Sequence, residues 1–161
     1  MSELRLRHSV RALIVDEVDR VLLCRFELSG VIVWATPGGG IEEGESHAMA
    51  LRREIQEEVG LTLETEPHHV WHQMVISPHH AAGFDGVIND FYLVRTSAFE
   101  PRGTLSDEQL LAENLVELRW WSLEQIASHS GNALIAPRSL GSLLSNLLLN
   151  EVPTQALEIG L

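Results

Sequence analysis

GGIEEGESHAMALRREIQEEVGL, residues 39–61, joins a glycine-rich turn to a segment that carries three closely spaced glutamates. Ser46 has a side chain that can cap a helix, and Gly60 suits the left-handed position that follows one. The segment therefore predicts a helix that ends near Val59. Its expected buried stripe, at i, i+3, i+4 spacing, consists of Ala48, Leu51, Ile55 and Val59.

The predicted helix brings acidic side chains together. Glu54, Glu57 and Glu58 stand at i, i+3 and i+4, and Arg53 lies four residues before Glu57, within reach of a salt bridge. Like charges at this spacing cost roughly 0.2–0.5 kcal/mol per pair on an exposed helix. An acidic run can also be a solvated face, but the preceding turn, residues 37–40, lets the backbone approach a ligand closely. The combination favours a site for a hard divalent cation.

The order of residues in this segment resembles a known motif. Gly39, five residues, Glu45, seven residues and then REIQEEVGL match every specified position of the Nudix box, G-x5-E-x7-R-E-U-x-E-E-x-G-U, where U is a bulky aliphatic residue. The resemblance to this MutT-like family extends to WATPGGG before the box and ELRWWSLEQI near the end. It implies the Nudix fold, an α/β/α sandwich with a mixed central sheet, as a single domain over residues 1–161.

The resemblance also implies an activity. Nudix enzymes hydrolyse a nucleoside diphosphate linked to another group, by attack of water on phosphorus. Arg53 would hold Glu57 or Glu45, and Gly39 and Gly40 would approach the substrate. Carried over by motif position, the ligands of Mg²⁺ or Mn²⁺ would be Glu54, Glu57, Glu58 and the backbone carbonyl of Gly38.

The general base is open between two regions of the chain. Glu54 can supply it from the box, whereas some family members use a glutamate in the loop before the final strand. Glu113 is the preferred residue of that second kind. The other acids near it are Asp107, Glu108 and Glu117.

Three residues before the box are further candidates. Arg25 ends a predicted strand where family members often carry a basic residue facing the diphosphate, but a surface ion pair is an equal alternative. Phe26 and Trp34 could stack on a base or sugar, although packing in the core is the favoured interpretation. Cys24 lies in the apolar run VLLCRF and is expected to be a buried thiol.

Composition restricts the class of partner. The chain has 11 Lys and Arg against 23 Asp and Glu, a net charge of −12, which argues against binding of nucleic acid and against RNA decapping. A small nucleotide is compatible, since a bound cation can reverse the local charge. The N-terminus lacks the apolar segment of a signal peptide, and no stretch approaches the ~18 apolar residues of a membrane span. One cysteine excludes an internal disulfide, so we expect a cytoplasmic protein.

Periodicity predicts several strands with helices between and after them, which favours a mixed sheet covered on both faces. The expected strands are 10–15, 21–26, 31–36, 69–76, 87–95 and 118–121. A capping pattern, SLEQ, opens a helix at Ser122. Another helix is expected from Pro137 to Leu149, and its leucines could close the core or form a homodimer.

The histidines lie in one region, at positions 68, 69, 72, 79 and 80. No set of ligands at zinc-binding spacing is visible, so exposed or substrate-facing side chains are favoured over a structural zinc site. Residues 79–90 are the expected specificity loop. A nucleotide-sensing module without catalysis is the main alternative to the hydrolase. Isomerisation of an isoprenoid diphosphate is disfavoured, because it needs an active-site cysteine and Cys24, the one cysteine, lies in an apolar strand before the box.

Overall fold

The computed structural model describes residues 3–161; Met1 and Ser2, which the predicted domain includes, lie outside that range. The strands are β1 (Leu6–Val15), β2 (Val21–Leu28), β3 (Val31–Ala35), β4 (Gly38–Gly40), β5 (His68–Ile76), β6 (Gly86–Arg95), β7 (Leu115–Trp121), β8 (Leu134–Ala136) and β9 (Leu157–Ile159). The helices are α1 (His47–Glu58), α2 (Asp107–Ala112), α3 (Leu123–Ala127) and α4 (Leu140–Leu149).

The strands form one mixed sheet. Its order is β8-β3-β2-β1-β6-β5-β9, with β4 added beside β1 and β7 beside β2. The central pair, β1 and β6, is parallel from Leu6↔Gly86 to Val15↔Arg95, whereas β2 and β3 are antiparallel. The prediction of a mixed α/β sheet is confirmed.

The sheet opens between β1 and β2. These strands pair at Val15↔Val21, where the turn joins them, and then diverge. Beside β1, the glycine strand β4 fills the place that β2 leaves, with Val10 opposite Gly39. Beside β2, β7 pairs from Val21↔Trp121 to Phe26↔Leu115. The divergence creates a cleft that the glycine strand borders.

Helices cover both faces of the sheet. Successive side chains of β1 point to opposite faces, and apolar residues of this strand are buried on each of them. On one face α1 packs against Val10, Ala12 and Ile14 of β1. On the other face α3 and α4 pack against Leu13 and Val15 of the same strand. The α4 leucines 140, 144 and 147 are buried there, so packing within the chain itself accounts for its apolar stripe.

The predicted elements differ from the structure mainly at short segments. The helix α4 begins at Leu140 and not at Pro137. The residues before it form a turn, in which the Leu140 amide donates to the Pro137 carbonyl at 3.0 Å. The stripe expected on α1 is confirmed at Leu51, Ile55 and Val59, which are buried, whereas Ala48 is half-buried. The buried residues that were not expected on this helix are Ala50, Glu54 and Glu58. The elements β4, α2, β8 and β9 were not expected.

No helix between residues 3 and 161 is both long enough and apolar enough to cross a membrane.

Candidate active site

The cleft between the diverging strands is a cavity of about 500 Å³, within the usual range of sites for small ligands. It is lined by Arg7, Arg11, Phe26, Leu28, Val33, Ala35, Gly38, Gly39, Glu54, Glu58, His80 and Glu113. A larger cavity of about 690 Å³, between residues 61–68 and the end of α4, contains none of the box carboxylates.

The glycine strand fits closely between β1 and the carboxylate helix. A Cβ atom on Gly39 would collide with the carboxylate of Glu54, and one on Gly38, whose φ is +147°, would collide with the carbonyl of Val10. The Gly38 amide donates to Oε2 of Glu58 at 3.4 Å. A side chain on Gly39 would therefore push the Glu54 carboxylate out of place, and one on Gly38 would push the glycine strand away from β1.

Local signals fix the helix that carries the glutamates. The Ser46 hydroxyl accepts a hydrogen bond from the Met49 amide at 3.1 Å. At the other end the amides of Val59 and Gly60 both donate to the Ile55 carbonyl, and Gly60 takes a φ of +77°. The start and the end predicted for α1 are confirmed.

Arg53 connects the acidic residues of the box. Its Nε and Nη2 donate to the two oxygens of Glu45 at 2.8 and 2.9 Å, a bidentate pair. Its Nη1 donates to Glu54 at 2.9 Å and to Glu57 at 3.4 Å. Nη2 also donates to the carbonyl of Gly40 at 3.1 Å. One guanidinium thus holds the loop, the glycine strand and the helix together.

Burial makes the remaining negative charge costly. Glu58 is 2% exposed, and its burial, together with the nearby Glu54 carboxylate, raises its pKa well above the ordinary value. Burial and Glu54 also raise the pKa of Glu57. Carboxylates that are crowded, buried and incompletely balanced form a donor set that fits Mg²⁺ or Mn²⁺, which prefer oxygen ligands.

Two arginines of β1 face these carboxylates, and the sequence did not single them out. A Cβ atom on Gly40 would lie 3.1 Å from the guanidinium of Arg7. Arg11 donates to the Thr36 carbonyl at 3.3 Å, and burial lowers its pKa although the charge of Glu58 opposes this. The alternation of Arg7 and Arg11 with apolar residues in LRHSVRALIV was the available signal.

Glu113 also reaches the cleft. It caps the C-terminal end of α2 and lines the cavity. Partial burial and the charges of Glu54 and Glu57 raise its pKa. The other acids of this region lie elsewhere: Asp107 pairs with Arg102, Glu117 pairs with Arg25, and Glu108 is exposed in the first turn of α2.

Arg25 lies apart from this group. It is salt-bridged to Glu27 at 2.5 Å and to Glu117 at 3.2 Å, and it does not line the cavity. The next residue, Phe26, does line it, because neighbouring residues of a strand face opposite ways. Trp34 is 4% exposed and packs edge-on against Trp121, so it belongs to the core.

Cys24 lies behind the carboxylates. It is fully buried, and its thiol donates to Oε2 of Glu58 at 3.8 Å. Burial and the Glu58 charge raise its pKa well above the ordinary value, which keeps it a thiol rather than a nucleophilic thiolate. The expectation of a buried core thiol is confirmed.

The histidines separate into different environments. His68 and His79 are exposed, whereas His80 lines the cleft. The rings of His69 and His72 are partly exposed, as expected, but both also contact the buried carboxylate of Asp90, which the sequence did not predict.

The fold and the site together define a class: an α/β sandwich in which a glycine strand and a carboxylate helix meet beside an opening in the sheet. The chain belongs to the Nudix family, since the family model, described as the NUDIX domain, matches residues 5–139.

Individual relatives agree with this class. An RNA pyrophosphohydrolase of Teredinibacter turnerae is 47% identical over 58 residues, which are 36% of this chain and 33% of that protein, so the match spans a third of the relative's length. A MutT Nudix hydrolase from Burkholderia pseudomallei is 26% identical, with a TM-score of 0.59 over 74% of this chain and 85% of that one. The Nudix domain of Shewanella oneidensis NrtR, solved with ADP ribose, is 17% identical, with a TM-score of 0.67 over 92% and 91%.

The pair of Glu45 and Arg53 gives a test of this geometry by pH titration. Hydrogen bonds from Arg53, assisted by the Glu42 amide, lower the pKa of Glu45 from 4.5 to about 2. Because the folded-state pKa is below the unfolded one, the stabilisation from this pair is present above about pH 4.5 and is lost as the pH falls towards 2. We expect a ¹³C NMR titration to give Glu45 a midpoint near 2 in the native chain and a clearly higher one in Arg53→Met, where the hydrogen bond from the Glu42 amide remains.

Arg52→Met is the matched control, because Arg52 is the exposed neighbour of Arg53 on the same helix. A Glu45 midpoint that stays low in Arg53→Met, or rises equally in Arg52→Met, would show that the bidentate pair does not hold the box together.

Proposed function

We propose that this chain is a metal-dependent Nudix pyrophosphohydrolase. Its substrate is a nucleoside diphosphate linked to another group, such as a nucleoside triphosphate, ADP-ribose or a nucleotide sugar. Water attacks one phosphorus atom and breaks a phosphoanhydride bond. Each of the two products then keeps one of the phosphates that this bond had joined.

The observation that carries the proposal is the pair of opposed charges in one cleft. Glu54 and Glu58 lie on the helix side, and Arg7 and Arg11 lie on β1. A diphosphate needs cationic groups to bind it, and the carboxylates need a cation to relieve their repulsion. A metal-bound diphosphate would satisfy both requirements in a space of about 500 Å³.

The residues that would hold the metal are Glu54, Glu57, Glu58 and the carbonyl of Gly38. When bound, a divalent ion lowers the pKa of water and neutralises charge on the phosphate oxygens. Arg53 keeps the carboxylates in position through its bonds to Glu54 and Glu57. Gly39 and Gly40 allow the diphosphate to approach the backbone, and Arg7 and Arg11 bind its oxygens.

Glu113 is the proposed general base, ahead of Glu54. Glu54 is engaged by Arg53 at 2.9 Å, whereas Glu113 lines the same cleft and is exposed towards its mouth. The raised pKa of Glu113 makes it a better proton acceptor at neutral pH. It would accept the proton of the attacking water.

Residues 79–90 are proposed to select the substrate, because His80 of this segment reaches the cleft. Two similar proteins indicate different substrates. The Teredinibacter turnerae relative is named an RNA pyrophosphohydrolase, and the NrtR domain was solved with ADP ribose. The net charge of −12 favours the small nucleotide over a long polyanion. The reducing cytoplasm is the proposed location, which suits the single free Cys24.

A sensing module is the second candidate, and the structural likeness to the NrtR domain with ADP ribose favours it. Such a module would bind a nucleotide in the same cleft without turnover. The intact set of glutamates around Arg53 favours the hydrolase, because binding alone does not require three carboxylates on the helix.

With Mg²⁺ or Mn²⁺, we expect the chain to hydrolyse a small nucleotide. The panel contains nucleoside triphosphates, ADP-ribose, nucleotide sugars and a 5′-triphosphorylated RNA oligonucleotide, and product formation is measured by chromatography. Glu57→Gln and Glu58→Gln should each lower kcat by at least about 100-fold, since metal charge stabilisation is worth several kcal/mol.

Glu64→Gln is the control, because Glu64 is an exposed glutamate that follows the box and lies outside the cleft. Tight nucleotide binding with no turnover would favour the sensing module. Turnover of the RNA oligonucleotide alone would contradict the proposed substrate class.

The second functional prediction concerns the base. Glu113→Gln should lower kcat by roughly 10²–10⁴-fold, the usual contribution of a general base, with little change in KM. Glu117→Gln should keep wild-type kcat, because Glu117 lies in the same region but pairs with Arg25 outside the cleft. Equal kcat values for wild type and Glu113→Gln, measured on the preferred nucleotide, would transfer the role to Glu54.

A further inference from the structure

A cluster of histidines surrounds a buried aspartate on β5 and β6. Nε2 of His69 lies 2.8 Å and Nδ1 of His72 lies 2.6 Å from the same oxygen, Oδ1 of Asp90. Nδ1 of His47, the first residue of α1, lies 3.7 Å from the other oxygen, Oδ2. The ligand atoms of His69, His72 and Asp90 all lie within 4.8 Å of one another.

A β-bulge makes this convergence possible. Residues three apart on a regular strand face opposite sides of the sheet. Here His69 pairs with Tyr92 and His72 pairs with Asp90, with a register shift between them. Tyr92 and Asp90 are two apart on β6 and share a face, so both histidines are turned to that face. Bulges are known to re-aim side chains in this way.

The charge of Asp90 is not balanced by arginine or lysine. Its side chain is 7% exposed, and its salt-bridge partners within residues 3–161 are His47, His69 and His72. Buried carboxylates are usually paired with a cation or coordinate a metal. Two imidazole nitrogens and one carboxylate therefore converge without an arginine or lysine beside them, and they form a set of three metal-ligand atoms.

We propose that His69, His72 and Asp90 form a binding site for a transition-metal ion, with Zn²⁺ the best fit, separate from the magnesium site of the box. Imidazole nitrogen selects Zn²⁺ over Mg²⁺, and two histidines with one carboxylate are a common zinc ligand set.

The geometry requires the two rings to rotate. Ligand bonds of about 2.0–2.2 Å in a tetrahedron place donor atoms roughly 3.3 Å apart. The nitrogens of His69 and His72, now 2.8 and 2.6 Å from Oδ1, must therefore retreat from it, and ligand atoms now up to 4.8 Å apart must approach one another. The rings of His69 and His72 are 39% and 26% exposed, which gives them room to move and gives the ion a path of entry. A water molecule would complete the fourth position on the solvent side.

The location suggests what the ion would do. The site joins β5 to β6, and His47, which lies beside the free oxygen of Asp90, adds the start of α1. Asp90 is aligned with Val10, and Val10 with Gly39, so two strand spacings, on the order of 10 Å, separate the backbones of Asp90 and Gly39. A bound ion would tie β5 to β6 beside the start of α1, where Nδ1 of His47 lies 3.1 Å from the Tyr92 hydroxyl.

The experiment titrates the full-length, chelator-treated chain with Zn²⁺ in a large excess of Mg²⁺, against a chromophoric zinc chelator. The native chain should bind one Zn²⁺ more tightly than any further ion. His69→Gln and His72→Gln should each weaken that binding by at least about tenfold, since even partners that only orient a ligand are worth about 10–100-fold. His79→Gln, an exposed histidine of the following loop, and Glu57→Gln, in the box, should bind as the native chain does.

A second readout needs no substitution. Addition of Zn²⁺ should shift the ring ¹⁵N signals of His69 and His72 and leave those of His79 in place, and Co²⁺ should give the visible absorption of a tetrahedral site. The proposal is overturned if these signals do not move, if no ion binds stoichiometrically, or if binding is lost in Glu57→Gln and kept in His72→Gln. In that last case the zinc would occupy the box carboxylates.

Discussion

The structure depends on a crowded set of carboxylates held against a glycine strand. Glu54 occupies the space that a side chain on Gly39 would need, and Glu58 is buried behind it. Arg53 spans this set and returns to the carbonyl of Gly40. Burying charge is costly unless it is paired, so the arrangement persists because one guanidinium and close hydrogen bonds compensate part of that cost, and a cation would compensate more.

The opening in the sheet creates a cavity beside these carboxylates. If β1 and β2 paired along their whole length, no cavity would lie beside the glycine strand. Because they separate after Val15↔Val21, Arg7 and Arg11 of β1 face the box carboxylates across an open space. The fold therefore places two cationic side chains opposite the acidic ones, and the proposed metal-bound diphosphate would lie between them.

The sequence predicted what local spacing controls. The span of α1 and the contacts of Arg53 with Glu45 and Glu57 follow from positions within one loop and one helix. It did not predict the role of Arg7 or the contact of His72 with Asp90, because these depend on strands distant in sequence and on a bulge. Four short elements were missed because three to six residues carry too little periodicity to identify them.

Thermal unfolding in the presence and absence of Mg²⁺ tests the central claim, that the box carboxylates are a cation site whose charge is not fully balanced by the chain. A cation that binds the folded state alone should stabilise it by about 2.7 kcal/mol at 100 times its Kd. We expect Mg²⁺ to raise the Tm of the native chain and to have little effect on Glu58→Gln, while metal-free Glu58→Gln is at least as stable as the metal-free native chain. Equal responses of the two proteins to Mg²⁺, or no response of either, would contradict this account.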